Sequence, residues 1–208
     1  MPQSPTRIET VEQLRQLYRQ PSELVQKKFL TKLDEHCIAM IGLSPFFCLA
    51  TTADDGSLDI SPRGDPPGSV KVLDSTTLLI PDRTGNNRLD TLTNLTQSSQ
   101  IALIFIVPGI IETLRVSGRA KIVHNDPRLE ACAINGKLPV TGILVKVQRA
   151  CLQCGKSVMR AGLWDDRYRV QRTDLASFGK MLADQTGADI SAEELDVAIE
   201  ESYRERLY

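Results

Sequence analysis

A series of short strand patterns between Phe46 and Cys151 leaves few folds open to this 208-residue chain. The patterns are apolar or alternating runs separated by turn signals, of which Asp54-Asp55-Gly56 is the clearest hairpin turn. Such turns favour antiparallel pairing. A sheet of six or seven strands exposes two edges unless it curls on itself, so we predict an α+β fold built on a closed or split β-barrel.

Helical patterns flank these strands on both sides. The second N-terminal helix is predicted to run unbroken from Leu24 to about Gly42, and a capping box at Ser191 starts a C-terminal helix. No repeat or long linker divides the chain. We therefore predict one domain, with N-terminal helices in 1–42, the barrel in 45–151 and a C-terminal helical extension in 152–208.

Bulk properties exclude several classes of function. The formal net charge of −1 argues against a broad nucleic-acid-binding surface. No apolar run approaches the roughly 20 residues of a membrane span, and the first ten residues have no apolar signal-peptide segment. These features predict a cytoplasmic protein without a membrane or nucleic-acid partner.

The five cysteines fit that compartment. Cys37, Cys48 and Cys132 have apolar neighbours and are predicted to be small core residues. Cys151 and Cys154 form a C-x-x-C pair, which occurs in zinc sites and in redox pairs. A structural zinc site needs four ligands, and neither a second pair nor a nearby histidine supplies them, so we predict no metal site.

The stretch LLIPDRTGNNRLDTLTNL, residues 78–95, predicts a strand, a loop and the start of a helix. The loop carries Arg83 and Arg88 together with Asn86 and Asn87. A helix N-terminus offers free N–H groups and a partial positive charge, and two guanidiniums beside it suit a phosphate. The alternative interpretation is a solvated turn that happens to be basic.

Two further segments could line a ligand site. The loop Pro62–Gly68 is stiffened by prolines and opened by glycines, so its backbone can approach a ligand closely. The run Ile101–Val107 is continuously apolar and predicts a strand buried on both faces. The alternating strand that follows puts Thr113 and Arg115 on one polar face, which either is solvated or lines a cleft.

Four stretches, in their order along the chain, resemble the pyridoxamine 5′-phosphate oxidase-like FMN-binding split barrels. FFCLATTADDGSLDISPRGD resembles the first hairpin, LLIPDRTGNNRLDTLTNL the phosphate loop and its helix, and IALIFIVPGIIETLRVSGRAKI the two long strands. CGKSVMRAGLWD resembles a C-terminal element of an uncharacterised subgroup. The basic and aromatic C-terminal set of the vitamin B6 oxidase is missing, so the resemblance is to the family and not to that enzyme.

The resemblance implies a homodimer with FMN at the subunit interface and one small-molecule substrate. Arg83, Asn87 and Arg88 would hold the phosphate, with Asp82 and Asn86 in the same loop. The flavin ring would lie along Ser61, Pro62, Arg63 and Gly64. Thr113 and Arg115 would contact the flavin or its phosphate from the facing side of the interface. Trp164, together with Lys156 or Arg160, would close the pocket. No side chain is identified as catalytic, because the flavin brings its own redox chemistry.

The same resemblance leaves three functions open. The first is an oxidoreductase that passes hydride or electrons between FMN and a small organic substrate, with a nicotinamide or deazaflavin as electron source. The second is a non-enzymatic flavin-binding or sensor protein. The third is a barrel that has lost flavin for a structural or haem-related role, and the presence of Arg83, Arg88 and Arg115 disfavours it.

Overall fold

The computed structural model describes residues 7–208 and centres on one antiparallel sheet of seven strands. Their order across the sheet is β2-β1-β5-β6-β7-β4-β3, which makes β2 and β3 the edge strands. The predicted α+β fold with an antiparallel sheet is confirmed. The strands are β1 Phe46–Thr52, β2 Leu58–Gly64, β3 Lys71–Asp74, β4 Thr77–Pro81, β5 Gln100–Ile106, β6 Thr113–His124 and β7 Thr141–Gln153.

The sheet rolls up so that β2 meets β4 across a gap. In sheet order β1, β5, β6 and β7 stand between these two strands, which would place them about 24 Å apart in a flat sheet. Instead, Nη1 of Arg63 at the end of β2 lies 2.9 Å from Oδ1 of Asp82, just after β4. In residues 7–208 no ladder joins β2 to β4. The barrel is therefore split at this gap, as predicted.

Alternate residues of the strands fill the interior of the barrel. Leu49, Phe105, Leu114 and Val116 are almost completely buried, and the rings of Phe47 and Phe105 lie 5.1 Å apart. Burial of each such side chain contributes about 1.5–3 kcal/mol. This interior layer is the main core of the protein.

The prediction that Ile101–Val107 is buried on both faces is wrong for the single chain. Ile101, Leu103 and Phe105 point into the core, whereas Ala102 is exposed and Ile104 half-buried on the outer face. A continuous apolar run indicates that both faces of the strand are apolar. It does not indicate whether each face packs against the same chain or against another molecule. Within residues 7–208 nothing covers the outer face around Ala102.

Helices surround the barrel. Helix α3 packs against β3, β6 and β7, and α4 packs against β1, β2 and β6. Short 3₁₀ helices cover Pro127–Cys132 and Arg172–Asp174. The α-helices are α1 Val11–Leu17, α2 Glu23–Lys27, α3 Glu35–Leu43, α4 Asp90–Gln97, α5 Lys156–Ala161, α6 Phe178–Thr186 and α7 Ala192–Glu205. No helix in residues 7–208 is both long and apolar enough to cross a membrane.

Two local predictions are wrong for identifiable reasons. The helix predicted from Leu24 to Gly42 is interrupted, because Leu30 exchanges two backbone hydrogen bonds of 2.9 Å with Ala150 of β7. Asp34 then accepts from Cys37 N and starts a new helix. The loop predicted from Pro62 begins only after Gly64, because Pro62 lies in β2. An edge strand tolerates proline, which has no N–H to donate.

The last two helices form a hairpin. Helices α6 and α7 pack mainly against each other, and Gly179 N donates to Oδ1 of Asp196 at 2.7 Å. A Cβ atom at Gly179 would lie 2.5 Å from Ala192 O, so the close crossing requires glycine. The predicted capping box at Ser191 is confirmed. Beyond α7 the chain returns to the barrel.

Candidate cofactor site

A cavity of about 1140 Å³ opens where the barrel is split. Ligand pockets in proteins typically measure about 300–1,000 Å³, so this one has room for a nucleotide-sized ligand and a second small molecule. Its walls come from β2, from the segment 82–92, from residues 134–141 and from 207–208. The sequence-predicted residues that line it are Ser61, Pro62, Arg63, Gly64, Asp82, Arg83, Asn86, Asn87 and Arg88.

One corner of the cavity is the junction between the loop after β4 and helix α4. Asn87 and Leu89 adopt left-handed backbone conformations, with φ of 58° and 60°. Asparagine tolerates this region, whereas leucine rarely adopts it, and such strain concentrates at binding sites. Leu89 is the N-cap of α4 and has no side chain that can accept a hydrogen bond. The first N–H groups of α4 therefore lack the usual side-chain cap beside the cavity.

Two ion pairs cross the split behind this corner. Arg63 Nη1 donates to Asp82 Oδ1 at 2.9 Å, and Arg83 Nε donates to Asp65 Oδ2 at 2.7 Å. All four side chains are at least three-quarters buried. Arg63 Nε and Asp65 Oδ1 are also buried, and neither has a hydrogen-bond partner within residues 7–208. A buried donor without an acceptor at a cavity wall is a group that a polar ligand can satisfy.

Arg88 is the exposed cation of the corner. Its Nε donates to Asp90 Oδ2 at 2.8 Å, and its backbone N–H donates to Asn86 Oδ1 at 3.1 Å. The hydrogen bond and charge of Asp90 raise the pKa of Arg88. Each of the three arginines at the cavity thus has a carboxylate partner. An anion bound at this corner must compete with Asp90 for Arg88.

The remaining predicted residues lie outside this cavity. Thr113 and Arg115, at the start of β6, stand opposite Gln153 and Cys151 of β7. Trp164 Nε1 donates to Ile110 O at 2.8 Å, which ties it to the β5–β6 turn. Lys156 and Arg160 lie on α5, whose preceding glycine packs against Ile111. Within one chain these residues form a separate group, and their contact with FMN stays a prediction.

The C-x-x-C pair straddles the end of β7. Cys151 is buried within the strand, whereas Cys154 is exposed just beyond it. In residues 7–208 no group of three or more His, Cys, Asp or Glu side chains could hold a metal ion.

Lys137 and Tyr208 at the cavity were not anticipated from the sequence, and neither was the pairing of Asp65 with Arg83. Lys137 Nζ donates to Tyr208 O at 2.8 Å, and the Arg83 guanidinium lies 5.9 Å from the centre of the Tyr208 ring. Burial, followed by the charge of Asp65, raises the pKa of Tyr208. No local sequence pattern joins residues 65, 137 and 208, because their proximity depends on the rolled sheet and on the returning tail.

A sequence model of the family described as pyridoxamine 5′-phosphate oxidase matches residues 33–149, which include the whole barrel up to most of β7. No curated protein matches the chain.

Several solved structures are similar to part of the chain. HupZ of Group A Streptococcus is 19% identical over 57% of this chain and 91% of its own, with a TM-score of 0.47. A protein of Lactobacillus delbrueckii described as a putative pyridoxamine 5′-phosphate oxidase is 20% identical over 58% and 94%, with a TM-score of 0.46. An FAD-binding protein of Mycobacterium smegmatis is 16% identical over 60% and 97%, with a TM-score of 0.42.

Proposed function

This chain belongs to the pyridoxamine 5′-phosphate oxidase family, and on that premise we propose that it is a flavoprotein that binds FMN in the split of its barrel. The main support for the proposal is that two segments distant in sequence meet at the same cavity. Segments 61–64 and 82–88, far apart in sequence, meet at one cavity beside the uncapped N-terminus of α4. The family includes flavin oxidoreductases, and we propose that this protein acts as one on a small organic substrate.

The corner at α4 suits the phosphate of FMN. Free N–H groups at a helix N-terminus and a guanidinium form a common phosphate site. Arg88 would exchange its exposed pairing with Asp90 for the phosphate, which carries more charge. Arg83 is less free to move, because Nε is held by a largely buried Asp65. Arg88 is therefore proposed as the main phosphate ligand and Arg83 as a support of the loop.

The inner side of β2 suits the polar edge of the flavin ring. All five residues from Asp59 to Arg63 border the cavity; Asp59, Ser61 and Arg63 are half-buried, whereas Ile60 and Pro62, which alternate with them, are exposed. Arg63 Nε would donate its unused hydrogen bond to a ring acceptor. When bound, FMN supplies the hydride chemistry itself. The protein's part is to hold the ring against the wall of β2, orient it, and exclude water from its inner face.

A homodimer is the second part of the proposal. The outer face of the sheet carries Leu58 and Ile60, which are 76% and 68% exposed. Ala50, Ala102 and Ser117 stand side by side on this face, where their small side chains allow another subunit to approach closely. Apolar exposure of this kind marks protein–protein contacts.

Strand register connects this face to the cavity. Arg115 stands beside Ile104, Ile104 beside Cys48, and Cys48 beside Pro62 at the rim of the cavity. In an isologous dimer built on this face, residues of one subunit approach the cavity of the other. This arrangement gives the exposed Arg115 a route to the flavin that a single chain does not offer, whereas Thr113 is buried within its own chain.

The test begins with flavin uptake. Protein stripped of flavin by heat or denaturant and refolded should quench FMN fluorescence stoichiometrically and become yellow. Failure to take up FMN would overturn the proposal. Anaerobic mixing with NADH, NADPH or a reduced deazaflavin then distinguishes an oxidoreductase from a flavin binder. Bleaching of the bound flavin supports the enzyme, whereas a bound flavin that none of them reduces supports the non-enzymatic alternative.

A further inference from the structure

Lys137 differs from the other cations at the cavity. Arg63, Arg83 and Arg88 each donate to a carboxylate. The Lys137 ammonium instead donates to the main-chain oxygen of Tyr208 at 2.8 Å.

The wall around Lys137 is apolar. Ile134, Leu138, Pro139 and Val140 line the same side of the cavity. Leu138 and Val140 are 58% and 75% exposed although both are large hydrophobic residues. A mostly apolar wall with one charged group is typical of sites that orient a small amphipathic ligand. An ammonium in that position selects a ligand with a carboxylate or another anionic group.

Tyr208 lies in this region of the cavity. Lys137 donates to its main-chain oxygen, and its ring centre lies 5.9 Å from the Arg83 guanidinium. The oxygen acceptor and the planar ring of Tyr208 thus each contact one cation of the cavity. Arg83 can stack on an aromatic ring while Nε remains paired with Asp65.

We infer that Lys137, Arg83 and the wall 134–140 form a substrate subsite for a small aromatic carboxylate. The carboxylate replaces the main-chain oxygen of Tyr208 on Lys137, and the ring replaces the tyrosine ring on Arg83. Tyr208 is an internal occupant that the ligand displaces. The inference rests on the proposed function for its meaning, since an organic anion held beside bound FMN is positioned as a substrate.

Calorimetry with a matched pair of probes tests the charge recognition. The probes are 4-hydroxyphenylacetate and its neutral amide, titrated into flavin-free and FMN-loaded protein. We expect the carboxylate to bind about tenfold or more tightly than the amide, as one charge-assisted hydrogen bond allows. Lys137→Ala and Lys137→Gln should remove that preference, and Lys121→Ala, at an exposed position of β6, should keep it. Equal binding of acid and amide to the unmodified protein would overturn the subsite.

Tyr208→Ala tests the displacement, because the inference requires it to act in the opposite direction. With the internal occupant shortened, the carboxylate probe should bind at least about threefold more tightly. Tyr203→Ala, at a 64% exposed tyrosine of α7, should leave its affinity unchanged. Unchanged or weaker binding to Tyr208→Ala would mean that Tyr208 does not compete with the ligand, and the inference would be wrong.

FMN uptake is measured in the same preparations, so the two proposals fail separately. If FMN is not taken up but the probes follow the expected pattern, the flavin assignment falls and the anion subsite stands. If FMN binds but the probes do not discriminate, the subsite falls and the flavoprotein assignment stands.

Discussion

The guanidinium of Arg63 donates to the carboxylate of Asp82 at 2.9 Å although β1, β5, β6 and β7 separate their strands in the sheet. The pair between Arg83 and Asp65, at 2.7 Å, crosses the same gap. These side-chain contacts join two strands that share no backbone ladder. The two ion pairs keep the strands close without a backbone ladder between them. The remaining gap leaves room for a ligand at the side of the barrel.

Asp65→Asn should destabilise the fold. The Asp65 side chain is 7% exposed, and removal of its charge leaves a largely buried guanidinium unpaired, so we expect a loss of about 3 kcal/mol in the free energy of unfolding. Asp90→Asn is the matched control, because its partner Arg88 is 71% exposed. That change should cost much less, because solvent screens the exposed pair. Urea unfolding followed by Trp164 fluorescence measures both, and equal losses would contradict a bracing role for the buried pair.

Arg88→Ala should weaken FMN binding by about tenfold or more, because one charge-assisted hydrogen bond to the phosphate is lost. Asp90→Asn should act in the opposite direction, since Asp90 both pairs with Arg88 and repels a phosphate at α4. Fluorescence titration with FMN measures each affinity. Arg169→Ala removes a 76% exposed arginine outside the cavity and should change nothing. Unaltered affinity in both Arg88→Ala and Asp90→Asn would place the phosphate elsewhere.

The parts of this site that could be predicted from the sequence are those whose residues lie close together along the chain. The loop that bears Arg83 and Arg88 was predictable because strand, loop and helix are adjacent in the chain and each has its own local pattern. The partner of Arg83 could not be predicted, because Asp65 approaches Arg83 only when the folded sheet brings the ends of β2 and β4 together. The break at Leu30 was missed for a similar reason. Its apolar side chain continued the helical pattern, whereas its backbone pairs with Ala150.

The C-terminal residues after α7 were even less predictable from the sequence. Nothing in the residues around Tyr208 indicates that it reaches Lys137, since the α6–α7 hairpin decides where the chain goes next. The family resemblance supplied the fold and the segments 61–64 and 82–88. The resemblance gave no information about the cavity wall formed by residues 134–140 and Tyr208. Residues 134–140 and Tyr208 come together only in the folded chain.

Ala102→Glu should convert the proposed dimer into a monomer. Ala102 is exposed at the centre of the outer face, between Ala50 and Ser117. A glutamate there is solvated in a monomer but is buried and close to its symmetry mate in a dimer built on this face. Light scattering coupled to size exclusion measures the mass. Val197→Glu, at a 67% exposed site on α7, is the control. A dimer that survives Ala102→Glu would show that another surface pairs the subunits.

In the folded protein, exposed cysteines should react with a thiol reagent faster than buried ones. Burial, followed by a hydrogen bond to Asp34, raises the pKa of Cys37 to about 11, and the thiolate is the reactive form. At pH 8 a disulfide reagent should therefore modify the exposed Cys154 rapidly and Cys37 only after unfolding. Cys154→Ser should abolish the fast phase.

The same shift makes stability depend on pH. Because the folded state holds the Cys37 proton more tightly, its contribution is complete below the ordinary thiol pKa of 9.0 and is lost as pH rises towards 11. Cys37→Ser lacks a thiol that ionises in this window. The unfolding free energy of the unmodified protein should therefore fall more steeply than that of the variant between pH 9 and 11. Parallel pH profiles for the two proteins would show that the Cys37 thiol ionises equally well in the folded and unfolded states.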